Sequence, residues 1–315
     1  VAIGKGALAA LTTGETNTAV GFMALNAEDT NQQNTAIGYN ALLAQNGADS
    51  NTAIGRESGK TISTGGDNTL VGTNAALLLT TGARNTVLGA FAFDAVADTE
   101  SDNVAIGYFA MGSCDQGTHA DSDIDENVAI GSNALKGGDI TDSEANVTGN
   151  VAIGYNAMDG TNTRSATGNT FVGQGAGGGT YGGTATDNVG IGSGALSGAL
   201  EACLENTAVG NNSLAAVTTG DYNIGIGSNA GAQVVDGLTN VIIGGAACYN
   251  MTTGDKNIAI GQDAGRRHGA SSNLTESDNS IFIGYNARAE SNQNTNEIVI
   301  GYDAVGAGTN TATIG

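Results

Sequence analysis

The chain contains no proline and no tryptophan, and only 4% of its 315 residues are aromatic. Without proline, and with its 51 glycines not placed at every third residue, it is excluded from the collagen class. Lysine and arginine together number ten against 31 acidic residues, a formal charge of −21. A nucleic-acid binder needs a basic stripe, which ten scattered cations do not form. Long hydrophobic runs are missing as well, the longest lying around Leu77–Leu79, far short of a membrane span. Cys114, Cys203 and Cys248 are odd in number, widely separated and without metal-ligand spacing. They match neither a disulfide framework nor a zinc signature. Disorder is excluded too, because 40% of the residues are apolar and they recur in register.

What the chain does have is a repeat. A short apolar run ends in glycine at positions 4, 21, 38, 55, 72, 89, 107, 131, 154, 173, 192, 210, 227, 244, 261, 284, 301 and 315. More than half of the gaps are 17 residues and the rest run from 14 to 24. Self-similarity at one period marks a solenoid, whose units bury their apolar surface only against neighbours. It implies one domain over 1–315, a window of a longer chain, despite a length that suggests two globular domains.

Each repeat can be aligned on its glycine, as at Gly38, Gly55 and Gly154. The preceding residue is Ile or Val in 17 of 18 copies (Ile37, Ile54, Ile153), with Leu88 the exception. Three before the glycine stands Thr, Val or Ile in nearly every copy, and between the two a mostly small apolar residue such as Ala36, Ala53 or Ala152. Two β-branched residues one apart are the period of a strand. A strand apolar on both faces calls for burial on both: one face in the coil interior, the other against another chain. The expectation drawn for Ile153 is an inward stack that a charge would open.

Asn stands four before the glycine in fourteen consecutive copies, among them Asn34, Asn51, Asn103 and Asn150, then moves back by one to Asn279, Asn296 and Asn310. Amides stacked in register can form a ladder. Three after the glycine only Ala or Ser occurs, which marks a tight spot. The glycine itself suits a positive-φ corner or a close backbone approach. Helix is rejected because glycine interrupts every run of good helix formers. The reading is therefore all-β: a parallel β-roll or β-helix of about 17-residue coils, with two short strands per coil favoured. At ~4.8 Å per coil, seventeen coils would give a rod of roughly 80 Å.

Long intervals predict loops at 112–126, 137–149 and 266–278. The first carries Asp121, Asp123 and Asp125, weak candidates for a metal, since the EF-hand pattern fails there. No Ser-His-Asp set, paired carboxylates or phosphate loop recurs, so neither an enzyme nor a cofactor is expected. The position after the glycine varies freely and includes Tyr39, Tyr108, Tyr155, Tyr285 and Tyr302. Exposed tyrosines there could contact a receptor sugar or simply cover neighbours across coils.

The segments Asn34-Thr-Ala-Ile-Gly-Tyr-Asn-Ala-Leu42 and Asn150-Val-Ala-Ile-Gly-Tyr-Asn-Ala-Met158 resemble the repeats of bacteriophage tail-fibre shafts and of trimeric autotransporter (YadA-like) adhesin heads. The stretch from Asp278 to Gly315 is similar to the segment that precedes an intramolecular chaperone in phage fibres. The resemblance implies a left-handed roll intertwined as a homotrimer. It also implies a fibre in the virion that attaches to a host cell-surface glycan or protein receptor, with no membrane insertion of this segment. The alternatives are a bacterial surface adhesin head and a purely structural extracellular filament.

Overall fold

A computed structural model describes residues 1–95, 99–114, 123–137, 146–161, 165–269 and 272–315. It is all-β, with no helix among the described residues, and none long and apolar enough to cross a membrane. The chain divides into two compact units, Val1–Thr167 and Gly168–Gly315. Each is a parallel β-solenoid of about 17-residue coils.

In the first unit the strands Ala2–Ile3, Thr18–Val20, Thr35–Ile37, Thr52–Ile54, Thr69–Val71, Thr86–Leu88, Val104–Ile106, Val128–Ile130 and Val151–Ile153 pair in sequence order, all parallel. In the second, the ladder runs through Thr170–Val172, Val189–Ile191, Thr207–Val209, Ile224–Ile226, Val241–Ile243, Ile258–Ile260, Ile281–Ile283, Ile298–Ile300 and Ala312–Ile314. Register has no stagger: Ala36 faces Ala53, and Ala53 faces Leu70. Equivalent residues therefore form columns, and the sequence alignment becomes a map of the surface.

Among the described residues most coils have only one strand, not two. The second pairing survives where Val147–Thr148 meets Ala166–Thr167, and as isolated bridges such as Thr186 with Leu204. The rest of each coil is taken up by corners. Between Gly38 and Gly55, Asn40, Leu42 and Ser50 all adopt left-handed backbone, with φ of 54°, 47° and 64°. The same three positions repeat along both units. A left-handed residue costs roughly 1–2 kcal/mol when it carries a Cβ, so packing has to compensate for it. The second of these positions holds Leu, Met, Phe, Ala, Cys or Gly in the coils that adopt it and never a β-branched residue, as expected for a conformation that crowds Cβ.

The core is narrow. It is filled by the middle strand residue (Ala36, Ala53, Phe171, Phe282), by the small residue three after the glycine, and by the left-handed residue next to it (Leu25, Leu42, Leu135). The strand flanks point the other way. Ala152 is fully buried, whereas Ile153 is only half-buried on the outer face. The inward Ile stack expected from the sequence is therefore corrected. A three-residue strand turns only its middle side chain into the coil, and strand alternation then places both β-branched flanks outside.

The anchor glycines have a specific cause. Gly55 has φ of +140°, and a Cβ there would overlap the carbonyl oxygen of Gly72 in the next coil. The same holds coil after coil, so both corner conformation and backbone approach exclude a side chain.

Of the predicted loops, 115–122, 138–145 and 270–271 lie outside the described residues. Within 266–278 an antiparallel pair forms between Arg267–His268 and Ser272–Asn273.

One buried carboxyl gives the fold a pH dependence. Asp94 lies half-buried at a corner, its Oδ1 has no partner among the described residues, and burial pushes its pKa up to about 6. A folded-state pKa above the unfolded value of about 3.9 stabilises the native state fully below pH ~4, and that stability is lost as pH rises through 6. Chemical denaturation between pH 4 and 8 should show this slope, and Asp94→Asn should flatten it. An unchanged slope in the variant would assign the effect to other groups.

Candidate interaction surface

The Asn column is the internal scaffold on which the surface rests. Asn68 Nδ2 donates to Asn51 Oδ1 at 3.1 Å and to the Gly82 carbonyl at 2.9 Å, while the Asn68 N–H donates to Asn51 Oδ1 at 3.0 Å. Asn85 repeats the pattern on Asn68, and Asn240 and Asn257 do so in the second unit. Asn34, Asn51, Asn103 and Asn150 are completely buried in this ladder. Every amide atom is used, which is what burial of a polar group demands.

Near the C-terminal end the asparagine moves by one residue but the column stays in place. Ser280 and Glu297 occupy it: the Ser280 N–H donates to Asn257 Oδ1, and the Glu297 N–H donates to Ser280 Oγ, each at 3.1 Å. Asn279 and Asn296 instead sit exposed at left-handed corners, with φ of 51° and 53°. Glu297 is fully buried and is tolerated because Gly308 N–H and Asn294 Nδ2 donate to it at 2.8 and 3.1 Å.

Outside, the strand flanks form two parallel rails per unit. Ile37, Leu88 and Ile226 are 37%, 47% and 40% exposed, and Ile54, Ile191, Ile224 and Ile260 are comparable. The rail one residue before the glycine is Ile, Val or Leu in every coil and is exposed or half-buried throughout, whereas the other rail holds Thr in many coils, so the apolar stripe of each unit follows the first rail. Scattered exposed apolar residues need no explanation, but a contiguous stripe marks a contact surface.

Around the corner runs the row that follows the anchor glycine. All five tyrosines, Tyr39, Tyr108, Tyr155, Tyr285 and Tyr302, are exposed there. Where aromatic residues fall in adjacent coils they stack on each other: Phe22 on Tyr39 with centroids 5.4 Å apart, and Tyr285 on Tyr302 at 5.2 Å. For those pairs the cross-coil role anticipated from the sequence is the observed one. Tyr108 and Tyr155 stand differently, as developed below.

The acidic residues have a local role that sequence reading missed. At one corner a carboxylate accepts the N–H of the preceding coil: Asp49 from Gln32 at 2.6 Å, Asp221 from Leu204 at 2.8 Å, Asp255 from Leu238 at 2.9 Å. Asp125 accepts from Ser101 N–H at 2.6 Å, although burial, with repulsion from nearby acids, still pushes its pKa up. Asp123 takes its place in the same loop through its backbone, and Asp121 lies outside the described residues. Asp236, Asp255, Glu276 and Asp278 line a shallow depression in the second unit. Among the described residues no His, Cys, Asp and Glu side chains converge as a metal-ligand set. The spacing of six residues before each glycine was the available signal for this corner.

Among the described residues ion pairs are few. Arg84 bridges both oxygens of Asp102 at 2.6 and 2.7 Å, which holds that carboxyl below its usual range. Arg288 reaches Asp303 at 2.9 Å. Cys203 and Cys248 are buried thiols that burial pushes up to about 11 and about 12, and Cys114 is also buried, donating to the Leu135 carbonyl at 3.2 Å. Raised thiol pKa values disfavour the reactive thiolate.

No family model matches the chain, and comparison with curated proteins found no relative.

Proposed function

We propose that this chain is a fibre segment that assembles as a homotrimer through its outward rails and serves attachment to a host surface, as part of a phage tail fibre. The single observation that supports the reading is the stripe that Ile, Val and Leu one before each glycine form along each unit, exposed in some coils (Ile37, Ile54, Leu88, Ile226) and half-buried in the others. An apolar surface of this length gains free energy in proportion to the area removed from water. Pairing like stripes around a threefold axis covers it symmetrically and makes a closed assembly. The net charge of −21 keeps the remaining surface soluble. The attachment role and the phage owner rest on the resemblance of the repeats. Three chains present every surface feature in triplicate, so weak contacts gain avidity.

Light scattering of the purified chain should give three chain masses. The double variant Ile37→Lys, Ile54→Lys should fall to one chain mass while its far-ultraviolet circular dichroism stays that of a β-solenoid. A wild-type monomer would sink the assembly reading, and so would a trimer indifferent to both lysines.

A further inference from the structure

Coil spacing makes the tyrosine row a ruler. Adjacent coils bring aromatic rings into contact at 5.4 and 5.2 Å, which closes the space between them. Tyr108 and Tyr155 are separated by one intervening coil, whose residue in the row is Ser132. Two coil steps are about 9.6 Å, so the gap above the small serine admits one further ring at about 5 Å from each tyrosine, within aromatic contact range. Among the described residues of this unit, no other aromatic pair in the row brackets a small residue this way.

The slot is supported on its Tyr108 side. Tyr108 is braced by Phe91 at 6.1 Å and 79° and by Phe109 at 5.1 Å and 60°, without being stacked face to face on either. Phe91 and Phe109 stack on each other at 5.6 Å. Tyr108 and Tyr155 remain 54% exposed. In the neighbouring column, beside Ser132, Asn133 Nδ2 donates to Asn156 Oδ1 at 3.0 Å. That bond fixes two amides while leaving Asn133 Oδ1, the second Asn133 Nδ2–H and both Asn156 Nδ2–H groups without a partner among the described residues. Backbone bonds from Asn133 N–H to the Tyr108 carbonyl and from Asn156 N–H to the Ser132 carbonyl lock the three coils in register.

We propose that Tyr108, Ser132 and Tyr155 form a slot for one pyranose ring of a neutral glycan, with Asn133 and Asn156 as its hydroxyl-recognising pair. A pyranose has the required chemistry: an apolar C–H face for each tyrosine and equatorial hydroxyls for a fixed acceptor and donor. Tyr108, Ser132, Tyr155, Asn133 and Asn156 carry no charge, which favours a neutral sugar over a uronic acid or a phosphate. The assignment deepens the attachment reading by naming its ligand class.

Saturation-transfer NMR on the full chain with cellohexaose, maltohexaose and chitohexaose tests it. At least one should receive transfer, and Ser132→Phe, which fills the slot, or Tyr155→Ala should weaken binding at least tenfold. Tyr155→Phe, which keeps the ring, should retain binding, as should Tyr39→Ala. Circular dichroism of each variant separates loss of the slot from loss of the fold. No transfer from any of the three, or full binding by a folded Ser132→Phe chain, would overturn the slot. A change in oligomeric mass on Ser132→Phe would also overturn it, by giving the slot to a second copy of the chain. A trimer without glycan binding leaves the fibre reading standing, and a monomer that binds glycan overturns the assembly but not the slot.

Discussion

Asn68→Asp should destabilise the first unit by at least about 3 kcal/mol near neutral pH, far more than a surface exchange of the same size. The change replaces Nδ2, which donates to Asn51 Oδ1 and to the Gly82 carbonyl, with an oxygen facing two acceptors at 3.1 and 2.9 Å. Asn68 is fully buried, so water cannot repair the loss. The native carboxyl should therefore keep its proton above the ordinary range. As pH rises past about 4 the unfolded chain ionises first, and stability should fall by about 1.4 kcal/mol per unit until the native pKa is passed, then level off. Denaturant titrations from pH 4 to 8 read this directly. A pH-independent loss under 1 kcal/mol would mean that the ladder is not a supporting element. Glu297 shows why the position matters: a carboxylate is accommodated in this column where backbone and amide donors converge on it. Around Asn68 the corresponding groups are acceptors.

The second large effect concerns volumes exchanged between coils. Gly59 lies beneath Leu70 of the following coil, and a Cβ on Gly59 would stand 2.7 Å from Leu70 Cδ1 and 3.0 Å from Leu42 Cδ2. One coil earlier the same two places hold Leu42 and Ala53. In the second unit Gly231 is matched with Ile242 and Gly265 with Phe282, and the arrangement reverses where Leu214 meets Gly225. Gly59→Leu alone should cost about 1–3 kcal/mol through overpacking. Leu70→Ala alone should cost about 2–5 kcal/mol through its cavity. Together they recreate the Leu42–Ala53 arrangement, whose leucine already tolerates a φ of 47°. The double variant should fold within about 1.5 kcal/mol of wild type, with a coupling of at least 2 kcal/mol in the double-mutant cycle. Additive losses would show that the two positions do not share one space.

Much of this was legible in the sequence because a solenoid converts sequence period into spatial column. The anchor glycine, the small residue three after it and the Asn column each sit where the alignment placed them. The direction of the strand was not legible. Ala152 and Ile153 are both apolar, and alternation alone does not say which one faces the coil interior. Nor was the left-handed corner geometry readable, since Leu42 at φ 47° carries no local signal that a leucine would adopt it. The shift from Asn to Ser280 and Glu297 misled the alignment because column membership follows backbone register, and residue identity was the only guide available.

The sequence by itself determined the coil length, the parallel stacking and the buried amide ladder, because these are nearest-neighbour properties repeated along one axis. Only the tertiary structure decided which strand residues fill the interior, which large side chains borrow space from a glycine one coil away, and which tyrosines close on each other or stand apart over Ser132. Those depend on the cross-section of the closed coil, a dimension that the period of the repeat does not contain.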